Sequence, residues 1–381
     1  MNFELTEEQT AIFDMSKAFS QEQIAPFASE WEQQGTIPRS LLQQAGELGL
    51  GGIYVTEEFG GSGLKRLDAA LIFEALSHGC PSVAAFMSIH NMCAWMIDAY
   101  GSQELKQEWL SKLCTFEKFA SYCLTEPGSG SDAASLRTRA SKAGDVFQLN
   151  GTKAFISGGN YADVYLVMCR TGEDGSKGIS SIVVNKEATG LSFGANEHKM
   201  GWQSQPTAQV QFDDCEVPIS NLMGTEGEGF KYAMSGLNGG RLNIAACALG
   251  GAQSALDKSL TYVGERKAFG KTLDQFQALQ FKLADMEIKL QAARSFLHKA
   301  AWMLDQKHPQ ATKFCAMAKV FVTDVSFEVA NEALQLHGGY GYLKDYGIEK
   351  IVRDLRVHQI LEGTNEIMRV ITARALLEER G

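Results

Sequence analysis

Val146-Phe-Gln-Leu-Asn150-Gly151-Thr-Lys-Ala-Phe155-Ile156 divides a chain of 381 residues into parts of different character. It reads as a strand, an Asn-Gly pair and a second strand, and Asn-Gly suits a type I′ hairpin turn. The spacing therefore predicts a β-hairpin here. Outward from it, Phe119–Thr125, Val164–Cys169, Ile179–Val184 and Gln209–Phe212 are further strand-length runs, with Gly- and Pro-containing turns between them. None of the intervening segments is long enough for the helix of a βαβ crossover. An all-β middle domain is expected over residues 117–229.

On both sides the period changes to that of a helix. Thr6, with Gln9 three residues on, forms a capping-box start, and Ile12, Phe13, Phe19, Ile24 and Phe27 follow as a stripe. Leu41, Leu42, Ala45, Leu48 and Leu50 make a second stripe, and helices are predicted over 67–78, 81–100 and 103–113. Residues 1–116 thus read as an α-helical domain. The loop from Gly51 to Gly63 lacks both the strand before and the Lys-Ser/Thr after that a phosphate loop needs, so it reads as a connector. After Gly229, apolar stripes span 230–264, 276–306, 309–336 and 346–379, clearest at Leu283, Met286, Leu290, Ala293, Leu297, Ala300 and Leu304. Four long helices with short connections predict a bundle over 230–381. The expected class is α+β, in the order α, β, α.

Composition narrows the function. A net charge of −10 argues against nucleic acid, which needs a basic face. The eight cysteines are scattered, with no Cys-x-x-Cys and no histidines at ligand spacing, so they read as reduced core residues and no metal is expected. No apolar run reaches membrane-spanning length. The acidic start at Met1 resembles neither a signal peptide nor an Arg-rich transit peptide. It suits a bacterial cytoplasmic protein, or the mitochondrial matrix for a mature eukaryotic form.

Five segments stand out chemically. In Ile360-Leu361-Glu362-Gly363-Thr364 an apolar run delivers one carboxylate onto a glycine, where a helix can break. A carboxylate so placed can have its pKa raised toward that of a general base, or it can simply lie solvated between a C-cap and an N-cap. Tyr122-Cys-Leu-Thr125-Glu-Pro-Gly128-Ser-Gly130-Ser131-Asp-Ala133 matches a dinucleotide fingerprint in spacing but lacks the βαβ context. Its hydroxyls and backbone N–H groups could still meet a polar ligand edge, or form an ordinary turn. Asn238-Gly239-Gly240-Arg241 puts two glycines in a helical region, costing about 2 kcal/mol of propensity. Either something approaches that backbone closely or a helix starts after Gly240. Gly264-Glu-Arg266-Lys-Ala-Phe269-Gly-Lys271 is an anion site or a solvated basic loop. Gln335-Leu-His337-Gly338-Gly339-Tyr-Gly341 is a ligand-facing or a plain turn, in which His337 reads as a hydrogen-bonded structural residue.

Together these segments resemble the acyl-CoA dehydrogenase family over nearly the whole chain. Thr125-Glu-Pro-Gly-Ser-Gly-Ser-Asp, Gly264-Glu-Arg-Lys-x-Phe-Gly, Gly338-Gly-x-Gly and Glu362-Gly-Thr occur in the family's order. Ser121-Tyr-Cys-Leu-Thr, Trp202-Gln-Ser-Gln-Pro-Thr and His337-Gly-Gly-Tyr-Gly-Tyr-Leu-Lys-Asp-Tyr are most similar to its isobutyryl-CoA dehydrogenase subfamily.

The resemblance implies an N-terminal helical domain, a β-barrel-like middle domain and a C-terminal four-helix bundle, assembled as a homotetramer (a dimer of dimers). It implies FAD as cofactor and electron-transfer flavoprotein as electron acceptor. Tyr122, Leu124, Thr125, Gly130 and Ser131 would line the flavin, and Phe155, Ile156 and Ser157 would back it. Arg266, Phe269, Phe276, Gln277, Gln335, Gly338 and Gly339 would hold its pyrophosphate and adenosine, partly across a subunit interface. Thr364 and Glu366 would touch the same cofactor. Ser131, Asn238, Gly239, Gly240, Arg241 and Arg374 would contact the acyl-CoA.

Glu362 would abstract the α-proton of a short, branched acyl-CoA of the isobutyryl kind while the β-hydrogen leaves as hydride to flavin N5, giving the 2-enoyl-CoA. Some relatives carry the base immediately before the arginine. Here that position is Gly240, consistent with the base at 362. Asn238 departs from the Asp of several straight-chain relatives. An acyl-CoA oxidase, a short straight-chain dehydrogenase and a non-catalytic flavin-binding helical protein are the alternative readings.

Overall fold

The computed structural model describes residues 4–380; Met1–Phe3, the start of the acidic N-terminus, lie outside the described residues. Helices α1 (Glu7–Phe19), α2 (Ala28–Gln34), α3 (Arg39–Glu47), α4 (Arg66–Gly79), α5 (Pro81–Tyr100) and α6 (Gln103–Cys114) come first. The capping box forms as the sequence predicts: Gln9 N donates to Thr6 Oγ1 at 3.1 Å and Thr6 N to Gln9 Oε1 at 3.2 Å. The glycine-rich segment after α3 is a connector, buried over residues 51–55 and exposed or half-buried over 56–63. A Cβ on its Gly51 would lie 2.3 Å from Cys114 O, so glycine lets the loop pack on the end of α6.

The middle region holds β1 (Ala120–Cys123), β2 (Arg139–Ala143), β3 (Val146–Ser157), β4 (Val164–Arg170), β5 (Ile179–Asn185), β6 (Leu191–Phe193), β7 (Thr207–Pro218) and β8 (Leu222–Met223). They form one mixed sheet in the order β6-β7-β3-β2-β4-β5-β8, with β1 parallel to β4. The predicted hairpin at Asn150-Gly151 is not there. Val146–Ser157 is a single strand, and the chain reverses before it, at Gly144 (φ +63°), between β2 and β3. The Asn-Gly pair instead makes a bulge against β7, where the register shifts between Leu149 and Gly151. Asn150 Nδ2 donates to Asp214 Oδ1 and Asp214 N donates back to Asn150 Oδ1, both at 2.9 Å. A Cβ on Gly151 would sit 2.6 Å from Thr138 Oγ1, which is why glycine follows.

The C-terminal region holds α7 (Gly229–Glu265), a small hairpin of β9 (Lys267–Ala268) and β10 (Lys271–Thr272), α8 (Gln277–Asp305), α9 (Ala311–His337), α10 (Ile348–Arg356) and α11 (Asn365–Glu378). The fourth bundle helix expected over 346–379 is therefore two helices, interrupted by residues 357–364. Helix α7 runs unbroken through Gly239 and Gly240, so no helix starts after them. It lies at the centre of the molecule, packed by α4, α5, α8 and α9.

The core is continuous between regions. Phe86 of α5 stacks on Phe119 beside β1, with centroids 4.2 Å apart. The loop after β6 docks on α10: Trp202 N donates to Asp354 Oδ1 at 2.6 Å, and a Cβ on Gly201 would meet Arg353 O at 2.3 Å.

Candidate active site

The break between α10 and α11 is held open by two left-handed residues, Glu362 (φ +56°) and Gly363 (φ +88°). A positive φ is unfavourable for glutamate and persists only where its surroundings fix it. Thr364 then caps α11, its Oγ1 accepting from Ile367 N at 3.3 Å. The strained turn aims the Glu362 side chain at α7. A Cβ on Gly240 would lie 2.6 Å from Glu362 Oε2 and 3.2 Å from Met92 Sδ. The paired glycines thus mark a close approach: Gly240 to this carboxylate, and Gly239 to Arg66, whose Nη1 would be 2.4 Å from its Cβ.

Glu362 Oε2 is buried and has no hydrogen-bond partner. Burial pushes the carboxyl up to about 7, against the opposing pull of Arg241 and then Lys319. Arg241 is itself buried; it donates from Nη1 to Asn238 Oδ1 at 2.8 Å and from Nε to Glu362 O at 3.4 Å. Asn238 Nδ2 donates on to Thr312 Oγ1 at 3.1 Å. Lys319 donates to Gly363 O at 2.9 Å and to Asn365 Oδ1 at 2.8 Å. Tyr122 faces the same space. Its hydroxyl is buried without a partner, and burial, with Glu362 next, holds its phenol well above the usual range.

Around Tyr122 the Gly/Ser turn is braced from beneath. Lys153 is fully buried and donates to Leu124 O at 2.9 Å and to Glu126 Oε1 at 2.8 Å. The Glu126 carboxylate also accepts from Arg137 N at 2.7 Å and Thr138 N at 2.9 Å. Thr125 O accepts from Ala154 N at 2.8 Å, tying the turn to β3. Nothing lies within 4 Å of a Cβ built on Gly128 or Gly130, and Ser131 is exposed. Opposite, Phe155 sits at a second bulge of β3 with φ +57° and is 68% exposed, although Ile156 beside it is buried. Ser157 Oγ accepts from Gln205 Nε2 at 2.7 Å, and Gln205 Oε1 and Trp202 Nε1 are buried without partners. Open glycines, an outward aromatic ring and orphaned buried donors and acceptors suit a planar, polar-edged group such as a flavin ring.

The remaining predicted residues lie elsewhere. Arg266, Gln335, Gly338 and Gly339 line a cleft of about 550 Å³ with Tyr262 and Tyr340, and the Arg266 guanidinium lies 5.2 Å from the Tyr340 ring centre. Phe269, almost fully exposed at φ +51°, faces Phe276 at 6.3 Å, next to Gln277 at the start of α8. Lys319 and Gln335 are separated by roughly 24 Å along α9, so this cleft and Glu362 are far apart within one chain. Glu366 is exposed on α11, near Arg369 at 4.0 Å. Arg374 is also exposed on α11, and among the described residues no hydrogen bond or ion pair ties it to the Glu362 cluster.

Sequence reading missed Lys319, Arg66 and Tyr54. The Arg66 guanidinium lies 3.8 Å from the Tyr54 ring centre and 4.7 Å from that of Trp95. A lone lysine on the apolar stripe Cys315–Ala316–Val322 was the available signal for Lys319.

Three family models match in succession: the N-terminal domain of acyl-CoA dehydrogenase over residues 6–117, the middle domain over 121–215 and the C-terminal domain over 227–377. The chain belongs to the acyl-CoA dehydrogenase family, whose members are flavoprotein oxidoreductases. It is 55% identical over 376 residues to the mitochondrial isobutyryl-CoA dehydrogenase of Dictyostelium discoideum, covering 98% of this chain and 90% of that protein. The structure of butyryl-CoA dehydrogenase from Megasphaera elsdenii superposes with a TM-score of 0.96 at 37% identity, covering 99% of this chain and 100% of that one. The structure described as PigA with FAD and proline superposes with a TM-score of 0.95 at 29% identity, covering both chains fully. Among the described residues no helix is long and apolar enough to cross a membrane, and no cluster of side chains could hold a metal ion.

Proposed function

We propose that this chain oxidises a short branched acyl-CoA, isobutyryl-CoA or a close analogue, to the 2-enoyl-CoA, with Glu362 as the base. The observation that carries this reading is the Glu362 carboxyl, raised to about 7, with its Oε2 buried without a hydrogen-bond partner and pressed against Gly240. A base with that pKa is half ionised near neutral pH, where its proton-accepting form and its basicity are best balanced. The higher identity to an isobutyryl-CoA dehydrogenase than to a butyryl-CoA dehydrogenase supports the branched substrate.

In this reading Tyr122–Ser131 and Phe155–Ser157 would hold FAD, which when bound would supply the acceptor for the β-hydride. Glu362 takes the α-proton onto its carboxylate. Gly240 gives the acyl chain and the carboxylate room to meet. Arg241 holds the Glu362 backbone carbonyl, and with Asn238, Gly239, Ser131 and Arg374 it is assigned to the acyl-CoA. Burial of the site excludes water, which raises the carboxyl and protects the reacting centre. Thr364 and Glu366 reach the same cofactor. Arg266, Phe269, Phe276, Gln277, Gln335, Gly338 and Gly339 would hold the pyrophosphate and adenosine, partly across a subunit interface of a homotetramer, as their distance from Glu362 in one chain supports. Electron-transfer flavoprotein is the acceptor.

The test is anaerobic bleaching of the flavin by isobutyryl-, 2-methylbutyryl-, butyryl-, isovaleryl- and octanoyl-CoA. Isobutyryl-CoA should reduce it fastest. Butyryl-CoA reducing it as fast or faster overturns the branched substrate, and stoichiometric hydrogen peroxide in air marks an oxidase instead.

A further inference from the structure

Lys319 is fully buried in the middle of α9. Burying an ammonium costs several kcal/mol unless it is paired. Among the described residues its two partners are neutral oxygens, Gly363 O at 2.9 Å and Asn365 Oδ1 at 2.8 Å, and no carboxylate is ion-paired with it. Asp324, one turn on, is committed elsewhere: it accepts from Asn365 Nδ2 at 2.7 Å, Gln359 Nε2 at 2.8 Å and Arg369 Nη2 at 3.1 Å.

Both partners follow the base within three residues in sequence. Asn365 is fixed in turn by Thr323, whose Oγ1 accepts from Asn365 Nδ2 at 3.0 Å and donates to Lys319 O at 2.8 Å. Lys319 therefore grips the turn that holds Glu362 in its left-handed conformation, while Glu362 Oε2 is buried with no hydrogen-bond partner among the described residues.

We propose that Lys319 is the positioning residue of the base: its ammonium, locked beneath the Glu362–Asn365 turn, is the counter-charge that orients and ionises the Glu362 carboxylate. This rests on Glu362 being the base. The charges facing the pair are Arg241 from α7, Asp324 from α9 and Glu366 from α11, with the Tyr122 phenol from β1. Burial pulls Lys319 down to about 7, and Glu362 is the strongest influence holding its proton on. Arg241 and Lys319 are the two cations that lower Glu362. Arg241 reaches the turn through one long bond, to Glu362 O at 3.4 Å, and its other bond goes to Asn238, whereas Lys319 holds the turn by two shorter bonds at 2.9 and 2.8 Å.

The experiment uses the FAD-loaded protein as wild type, Lys319→Met, Lys319→Arg and Glu362→Gln. Flavin reduction by saturating isobutyryl-CoA is followed against pH, and the protonated Glu362 carboxyl is followed by infrared difference spectroscopy without substrate, assigned by its loss in Glu362→Gln. Removing the charge should raise both midpoints by about one pH unit, so that reduction at pH 7 slows about fivefold with little change in KM. Lys319→Arg should keep both midpoints near wild type. Lys319→Gln retains a donor for Gly363 O without the charge, and should shift the midpoints as Lys319→Met does if the methionine variant fails to fold. Neutral variants with the wild-type midpoints overturn the proposal for Lys319 while Glu362→Gln remains blocked. Reduction by Glu362→Gln at the wild-type rate sinks the base itself, a separate failure.

Discussion

The Glu362 carboxylate occupies the space that a side chain at Gly240 would fill, 2.6 Å from the position of its Cβ. Two segments more than a hundred residues apart are thus fitted to each other: a helix stripped of side chain at one point, and a strained turn that delivers a carboxylate to it. Gly240→Ala separates stability from activity. Alanine in a helix interior is favoured over glycine by about 1 kcal/mol, which offsets part of the clash. The displaced carboxylate should slow flavin reduction on the order of a hundredfold. Thermal melting within a few degrees of wild type, with rapid-mixing kinetics showing the loss, is the expected pair of results.

Burial of Glu362 also affects stability. Its folded pKa, about 7, lies above the ordinary value of 4.5, so the native state binds more protons than the unfolded state between those values. Stability therefore falls as pH rises through that window, by at most about 3 kcal/mol from this group. Glu362→Gln should melt close to wild type at pH 5 and above it at pH 8. Equal melting temperatures at both pH values would mean the carboxyl is not raised.

Lys153 and Glu126 brace the Gly/Ser turn after Tyr122 as a buried ion pair at 2.8 Å. Removing one partner leaves the other charge unpaired, at a cost of about 3–5 kcal/mol. Lys153→Met should lower the melting temperature and the flavin content of the purified protein. Lys153→Met with Glu126→Gln should recover part of both, as measured by calorimetry and the protein-to-flavin absorbance ratio.

Arg266 lies in a cleft roughly 24 Å along α9 from the base. Arg266→Ala should weaken FAD binding at least tenfold by titration of the apoprotein, yet leave the infrared midpoint of Glu362 unchanged. A shifted midpoint would place the two sites closer than one chain allows.

The α–β–α order was legible because helical and strand periods differ over long runs, as in α5, α8 and β4. The Asn150-Gly151 turn was misread because local turn chemistry competes with tertiary pairing. Asp214 supplies a partner for Asn150 from 64 residues away, and Thr138 presses on Gly151. The split after α10 was masked by apolar residues at Val357, Ile360 and Leu361, which continue the stripe although the backbone turns at Glu362. Within the site, the glycine pair gave a correct signal of close approach because its propensity cost needed a cause. Lys319 gave only a weak signal, a lone lysine on an apolar stripe, because such a lysine often reaches solvent with its ammonium.

The central claim is that Glu362 removes the substrate's α-proton, and the most direct measurement is anaerobic flavin bleaching by isobutyryl-CoA in wild type and Glu362→Gln, with exchange of the substrate α-hydrogen followed in D₂O. The account predicts bleaching in wild type that rises with pH through about 7, and a loss of both bleaching and exchange by two or more orders of magnitude in the variant. Bleaching or exchange in Glu362→Gln at near the wild-type rate would contradict it.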